Sequence, residues 1–200
     1  MEYQTVKNNQ DLIDCRELVL GAYQKKRLVK FGEELKLFEY YDGNDFTTIY
    51  GHINGTKKMT ISALYDFGDT TLPLDKYYRK ELQRLRKSDP KICEFGLFSD
   101  NRAVSSFKSI LNLSSLLVNF SYLKGFKQIV FGVHPYSVKF YKKYFNGVIL
   151  GSATAYEDLN GAPVALLYIS LYEKDLEKLP MVIQCRLQKT IQKNDFMVAV

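Results

Sequence analysis

Lys91-Ile92-Cys93-Glu94-Phe95-Gly96-Leu97-Phe98 reads as one strand, and Gln128-Ile129-Val130-Phe131-Gly132-Val133 reads as a second. The latter is nearly all apolar, the pattern of a central strand buried on both faces. Between them, Ala103 to Lys124 predicts a long helix with Phe107, Ile110, Leu111, Leu117 and Leu123 inside. Gly125 stands where a helix C-terminus favours a left-handed residue. Strand, helix, strand in this order implies a parallel pair joined by a right-handed crossover.

Upstream, Pro73 and Asp75 open a helix with Leu74, Tyr78, Leu82 and Leu85 on one face, and Ser88-Asp89-Pro90 ends it, because proline donates no amide and disfavours a helical residue before it. Before that the period changes to two. Thr47 to Ile53 and Lys57 to Phe67 read as a hairpin turned by Asn54-Gly55, a pair suited to the positive φ of a type I′ turn. The chain opens with a short strand, Glu2 to Lys7. Asn8 or Asn9 then caps a helix with Leu12, Cys15, Val19 and Ala22 on its apolar face and Lys25, Lys26 and Arg27 at its basic end. Downstream, Tyr136 to Phe145 is a short aromatic helix. A second hairpin, Val148 to Tyr156 and Pro163 to Leu171, turns at Asn160-Gly161. The tail from Leu179 admits a helix up to Lys193. These elements predict an α/β (α+β) fold in which a mixed central sheet is flanked by helices. No linker or repeat divides residues 1–200, so a single domain is expected.

Composition narrows the function classes. Cys15, Cys93 and Cys185 are an odd number without close spacing, and His52 and His134 stand alone, so neither a disulfide framework nor a metal site is expected. Met1 to Asp11 are polar and no apolar run is long enough to span a bilayer, so the expected setting is cytoplasmic. The formal net charge is +6. Such a surface attracts an acidic partner, or serves solubility alone. No nucleic-acid recognition motif accompanies the charge, so nucleic acid is not expected as a partner.

Three segments carry a resemblance. The first is Leu72-Pro73-Leu74-Asp75 with Tyr78, Glu81-Leu82 and Leu85-Arg86, leading to Glu94 in Cys93-Glu94-Phe95-Gly96-Leu97. The second is Val133-His134-Pro135 with Phe140-Tyr141-Lys142-Lys143 and Gly147. The third is Asn160-Gly161-Ala162-Pro163-Val164-Ala165-Leu166-Leu167. In this order, over roughly Leu72 to Leu171, they resemble the N-acyl amino acid synthases. These form a branch of the GNAT acyltransferases related to the acyl-homoserine-lactone synthases. The resemblance implies a GNAT-like acyl-CoA N-acyltransferase fold and an acyltransferase that moves a fatty acyl group to the amine of an amino acid or similar small acceptor. Two departures stand out. Phe98-Ser99-Asp100-Asn101-Arg102-Ala103 has no glycine where GNAT enzymes carry a pyrophosphate-binding turn. Phe95-Gly96 replaces the Ser-Arg that follows the glutamate in both related branches.

The resemblance also implies site roles. The donor is an acyl-phosphopantetheine on an acidic acyl carrier protein, or acyl-CoA, used as co-substrate with no bound cofactor. Its arm lies between the two parallel strands, along Phe95, Gly96, Leu97, Phe98 and Val133. Glu94 is the expected general base or ammonium anchor; a carboxylate in an apolar strand is costly to bury, and its other reading is a salt-bridged or edge carboxylate. Tyr141 is the expected acid toward the leaving thiol, or else a core aromatic. His134 is a second base or a structural strand-end residue. Lys76, Arg79, Lys80, Arg84 and Lys87 dock the carrier protein, with Lys139, Lys142 and Lys143 extending the patch, or form solvated helix faces. Ile110, Leu111, Leu113 and Leu117 line an acyl tunnel or belong to the ordinary core. Two alternatives remain: an acetyl-CoA-dependent GNAT acetyltransferase, and a non-catalytic GNAT-fold binding module.

Overall fold

The computed structural model describes residues 1–103 and 106–198, with side chains described up to residue 189. Strands β1 (Glu2–Thr5), β2 (Phe46–Ile53), β3 (Thr56–Asp66), β4 (Ile92–Asp100), β5 (Gln128–Val133), β6 (Val148–Tyr156) and β7 (Ala162–Ser170) form one sheet in the order β1-β2-β3-β4-β5-β7-β6. Its helices are α1 (Asn9–Lys25), α2 (Asp75–Ser88), α3 (Phe107–Leu123), α4 (Val138–Phe145), α5 (Glu173–Leu176) and α6 (Met181–Val198). Single 3₁₀ turns span Lys36–Tyr41, Pro135–Ser137 and Glu157–Leu159. Among the described residues no helix is long and apolar enough to cross a membrane.

Local chemistry places the elements as expected at several points. The Asn8 side chain accepts from the Asp11 N–H at 2.8 Å and starts α1. Asn54 and Gly55 take the positive φ that a two-residue hairpin requires; Asn160 and Gly161 also take positive φ, at the end of a five-residue loop that opens with the Glu157–Leu159 turn. Strands β4 and β5 pair in parallel, and every other pairing is antiparallel.

Two layers of helices cover the sheet. On one face α1, α2 and the Lys36–Tyr41 turn pack Val19, Leu37, Tyr41 and Leu82 against Leu64, Ile92 and Val130. On the other, α3, α4 and α6 pack Leu113, Leu117, Phe145 and Ile183 against Ala63, Cys93 and Ile129.

Three expectations change. Helix α3 starts at Phe107 rather than Ala103, and residues 104–105 lie outside the described residues. Phe107 and Leu123 are not inside: they are 41% and 47% exposed at the two ends of the helix, and the buried stripe runs through Leu113, Leu117, Val118 and Ser121. Strand β4 runs two residues past Phe98, to Asp100, and its phase breaks on the way. Thr60 faces Ser99 while Ser62 faces Gly96, so Leu97 and Phe98 together oppose Ile61. Leu97 takes φ +49 to make this bulge.

Candidate active site

The bulge matters because of where the neighbouring ladder stops. Strands β4 and β5 pair from Ile92/Gln128 to Phe95/Phe131 and no further. Beyond that pair, β4 stays on β3 through Gly96 and Ser99, while β5 stays on β7 through Gly132 and Val133. The two strands therefore splay into a cleft whose inner edges carry main-chain groups outside the ladder. A bulged strand turns such groups away from their regular positions, which frees them for a ligand.

On the α3/α4 side the cleft opens into a cavity of about 70 Å³. Phe95, Phe98, Phe131, Val133, Tyr141 and Phe145 line most of it, with Ile110 from α3. Leu113 and Leu117 are not in its wall and belong to the core. Scaled from an apolar cavity of about 150 Å³ that holds benzene, the space takes roughly three heavy atoms. That suffices for the end of a thioester and a short acyl group; a long chain enters only if the aromatic wall parts. Of the residues expected along the donor arm, Phe95, Gly96, Phe98 and Val133 line the cavity. The Leu97 side chain is the correction: its positive φ turns it to the other face, beside Val19, Phe38 and Tyr41.

Tyr141 stands in this wall. Its ring packs edge-on to Phe131 at 5.0 Å and to Phe140 at 5.2 Å, and burial raises its phenol above the usual 10. The group is thus neutral at physiological pH and available as a proton donor.

Glu94 occupies the opposite face, one residue before the ladder ends. It is only 5% exposed, and its Oε2 accepts from the Leu74 N–H at 3.0 Å. Burial pushes its carboxyl up to about 8; the Leu74 hydrogen bond pulls down, the nearby Asp75 charge pushes up, and Arg86 pulls down. A carboxylate that titrates near neutral pH is suited to accept a proton from an amine.

What holds Leu74 in place is a buried ion network that sequence reading did not assign. Asp66, fully buried at the end of β3, accepts from the Gly68 and Thr70 N–H groups and from Arg86 Nε at 2.7 Å. Arg86 forks both remaining nitrogens onto Asp75 at 2.6 Å, and Asp75 accepts from the Leu72 N–H. The loop from Asp66 to Asp75 is thereby pinned on both sides of the arginine, and its end delivers the Leu74 amide to Glu94. Gly132 provides the clearance: a Cβ there would lie 2.6 Å from Val164 Cγ1 and 3.2 Å from Leu74 Cδ2.

Tyrosines surround the same face. The Glu94 charge helps raise the phenols of Tyr40, Tyr41 and Tyr156, after burial itself. Tyr77 packs its ring on Tyr156 at 4.1 Å and donates to Asp158 at 3.2 Å. These residues sit in or against aperiodic turns, and the only sequence signal for them is the aromatic density of Leu37-Phe38-Glu39-Tyr40-Tyr41.

The other expected site residues lie elsewhere. His134 is exposed at the end of β5, where its Nδ1 accepts from the Tyr136 N–H and its ring packs on Tyr136. It caps the Pro135–Ser137 turn and is not among the residues that line the cavity. Lys76 is bound to Asp158 and Glu157 at 3.1 and 3.2 Å. Arg79, Lys80, Arg84 and Lys87 are exposed on α2, which packs on the layer opposite the cavity. Lys139, Lys142 and Lys143 are exposed on α4, whose Tyr141 and Phe145 line the cavity itself. In the glycine-free turn after β4, Arg102 is held by Asp100 at 2.6 and 2.8 Å and by Ser109 Oγ at 2.9 Å, so its charge is already matched within the turn.

The model of the family of N-acyl amino acid synthase FeeM matches residues 14–170. No curated protein matches the chain in sequence. Among solved structures, FeeM, an N-acyl amino acid synthase from uncultured soil microbes, is similar with a TM-score of 0.75 and 18% identity, over 86% of this chain and 97% of that one. The acyl-homoserine-lactone synthase LasI is similar with a TM-score of 0.64 and 15% identity, over 87% of this chain and 91% of that one. Escherichia coli ElaA is similar with a TM-score of 0.59 and 13% identity, over 85% of this chain and all of that one.

Proposed function

The chain belongs to the family of N-acyl amino acid synthase FeeM and is an acyltransferase; from that premise we propose that it transfers an acyl group from a thioester to the amine of an amino acid or similar small acceptor. The observation that carries this reading is the position of Glu94 and Tyr141 on opposite faces of the sheet, where β4 and β5 part. The thioester enters the cleft with its acyl end in the cavity, and the main chain along the inner edges of β4 and β5 holds the arm. The amine approaches from the Glu94 side and attacks the carbonyl carbon. Glu94 takes the proton that nitrogen loses, main-chain N–H groups at the bulge receive the oxyanion, and Tyr141 protonates the departing sulfur. Proton balance closes, since one proton leaves nitrogen and one arrives on sulfur.

The donor we favour is an acyl carrier protein in the cytoplasm. Supporting this, Arg102 is already paired with Asp100 at the end of β4, the segment that follows lacks glycine, and α4 offers three exposed lysines beside the cavity to an acidic partner. Docking on the lysine and arginine face of α2 is less well supported, because that helix lies on the far layer.

A second reading, an acetyl-CoA-dependent transferase, has one observation in its favour: a cavity of about 70 Å³ suits a short acyl group. Both are decided by mass spectrometry of the protein incubated with carrier-bound and CoA-bound acyl donors of graded length and a pool of amino acids. Long-chain N-acyl products from the carrier support the first reading. Acetylated amines from CoA alone select the second, and no amide from any donor sinks both.

A further inference from the structure

The residue after Phe95 is glycine, and a side chain from another segment stands directly over it. Gly96 is the first β4 residue past the last β4–β5 pair and lies on the same face as Glu94, two residues earlier. A Cβ on it would meet the Tyr41 hydroxyl at 3.1 Å. Tyr41 closes the 3₁₀ turn Lys36–Tyr41, is 2% exposed, and packs its ring edge-on to Phe46 at 5.7 Å. The turn and the ring packing thus fix a buried phenol directly over Gly96, just past the last β4–β5 pair.

We propose that Tyr41 is a catalytic residue of the acyl transfer: its hydroxyl, seated over Gly96 beside Glu94, accepts a hydrogen bond from the attacking amine and aims the nitrogen lone pair at the thioester carbon. The inference rests on the reaction assigned above and adds a group to it. The amine carries two N–H bonds. One proton passes to Glu94 as the C–N bond forms and the C–S bond breaks. The other stays on nitrogen, bonded to the Tyr41 oxygen, and becomes the amide N–H. Tyr41 gains and loses no proton. Burial, the Glu94 charge and the nearby Tyr23 all hold its phenol well above the usual 10, which suits a hydrogen-bonding role rather than that of a base.

The test is a double-mutant cycle on the full chain, with Tyr41→Phe, Gly96→Ala and the pair, read as kcat and KM for acceptor and donor separately. A lost hydrogen bond to a reacting group corresponds to a fall of about ten- to a hundredfold in kcat/KM for the acceptor. Tyr41→Phe should show that fall with donor KM unchanged. Gly96→Ala, which displaces the hydroxyl, should lower kcat/KM for the acceptor in the parent and add little to that loss once Tyr41 is phenylalanine. A purely structural role would move melting temperature and both KM values together. Wild-type kcat/KM in Tyr41→Phe, or losses that multiply in the pair, would overturn the proposal alone. A wild-type protein that forms no amide would overturn it together with the assigned reaction.

Discussion

Replacing Arg86 with methionine tests how Glu94, the proposed base, is held. Methionine keeps the aliphatic stem and removes the guanidinium that bridges Asp66 and Asp75. Removing one partner of a buried ion pair costs about 3–5 kcal/mol, because the remaining charge stays buried. Asp66 is fully buried but keeps the Gly68 and Thr70 amides, which argues for the lower end. At about 2–4 °C per kcal/mol for a chain of this size, a loss near 3 kcal/mol lowers Tm by roughly 6–12 °C. A second effect follows at Glu94. Arg86 pulls its carboxyl down while Asp75 pushes it up, so losing Arg86 raises a value already near 8. Calorimetry gives the first effect, and the pH dependence of kcat/KM gives the second as a shift of the rising limb to higher pH. Arg86→Lys, which restores the charge but not the fork, should recover part of both. An unchanged Tm with an unchanged limb in Arg86→Met would refute the reasoning.

Three further outcomes follow from the same geometry. Tyr141→Phe should lower kcat by about a hundredfold or more, the scale of general-acid catalysis, with Tm nearly unchanged; a wild-type kcat would remove Tyr141 from the chemistry. Gly132→Ala should cost about 1–3 kcal/mol by forcing Val164 and Leu74 apart, and should also lower activity through the Leu74 amide, both read by urea titration and initial rates. Charge reversal at Lys139, Lys142 and Lys143 should raise the carrier-protein KM and flatten its salt dependence, whereas reversal at Arg79, Lys80, Arg84 and Lys87 should change it little; the opposite pattern would move the docking face to α2.

Much of this was legible in the chain because local chemistry forces it. Asn54-Gly55 and Asn160-Gly161 announce their hairpins through the positive φ such turns demand. Glu94 stands out as a charge in an apolar strand; the sequence leaves burial or an edge position open, and it is buried. What stayed hidden depends on contacts between distant segments. The bulge at Leu97 leaves only Gly96 as a trace in Phe95-Gly96-Leu97-Phe98, since a strand glycine suggests an irregularity but the apolar run looks the same in either phase. Arg86 and Asp66 meet only after the loop folds back, and Tyr41 lies in a stretch with no period to show which ring turns inward. Periodicity marks the basic face of α2 without saying which layer of the sheet it covers. Asn8 and His134 both cap a turn through a side-chain acceptor, but only the asparagine type announces it.

The proposed mechanism turns on Glu94 as the base, and the direct measurement is kcat/KM for the acceptor against pH in wild type and Glu94→Gln. Any limb from the ionisation of the amine itself is common to both proteins, so their ratio isolates the carboxyl. In wild type the carboxyl must be ionised to act, so the ratio should rise with pH and level off above about 8. At that plateau the glutamine variant should be slower by about 10²–10⁴, the range for a lost general base. The stability consequence has the opposite sign. A carboxyl raised from 4.5 to about 8 stabilises the native state most at low pH and loses that advantage as pH climbs through 8, so Glu94→Gln should be the more stable protein at pH 9. A rate ratio near one and independent of pH would contradict the assignment of Glu94 and, with it, the mechanism built on it.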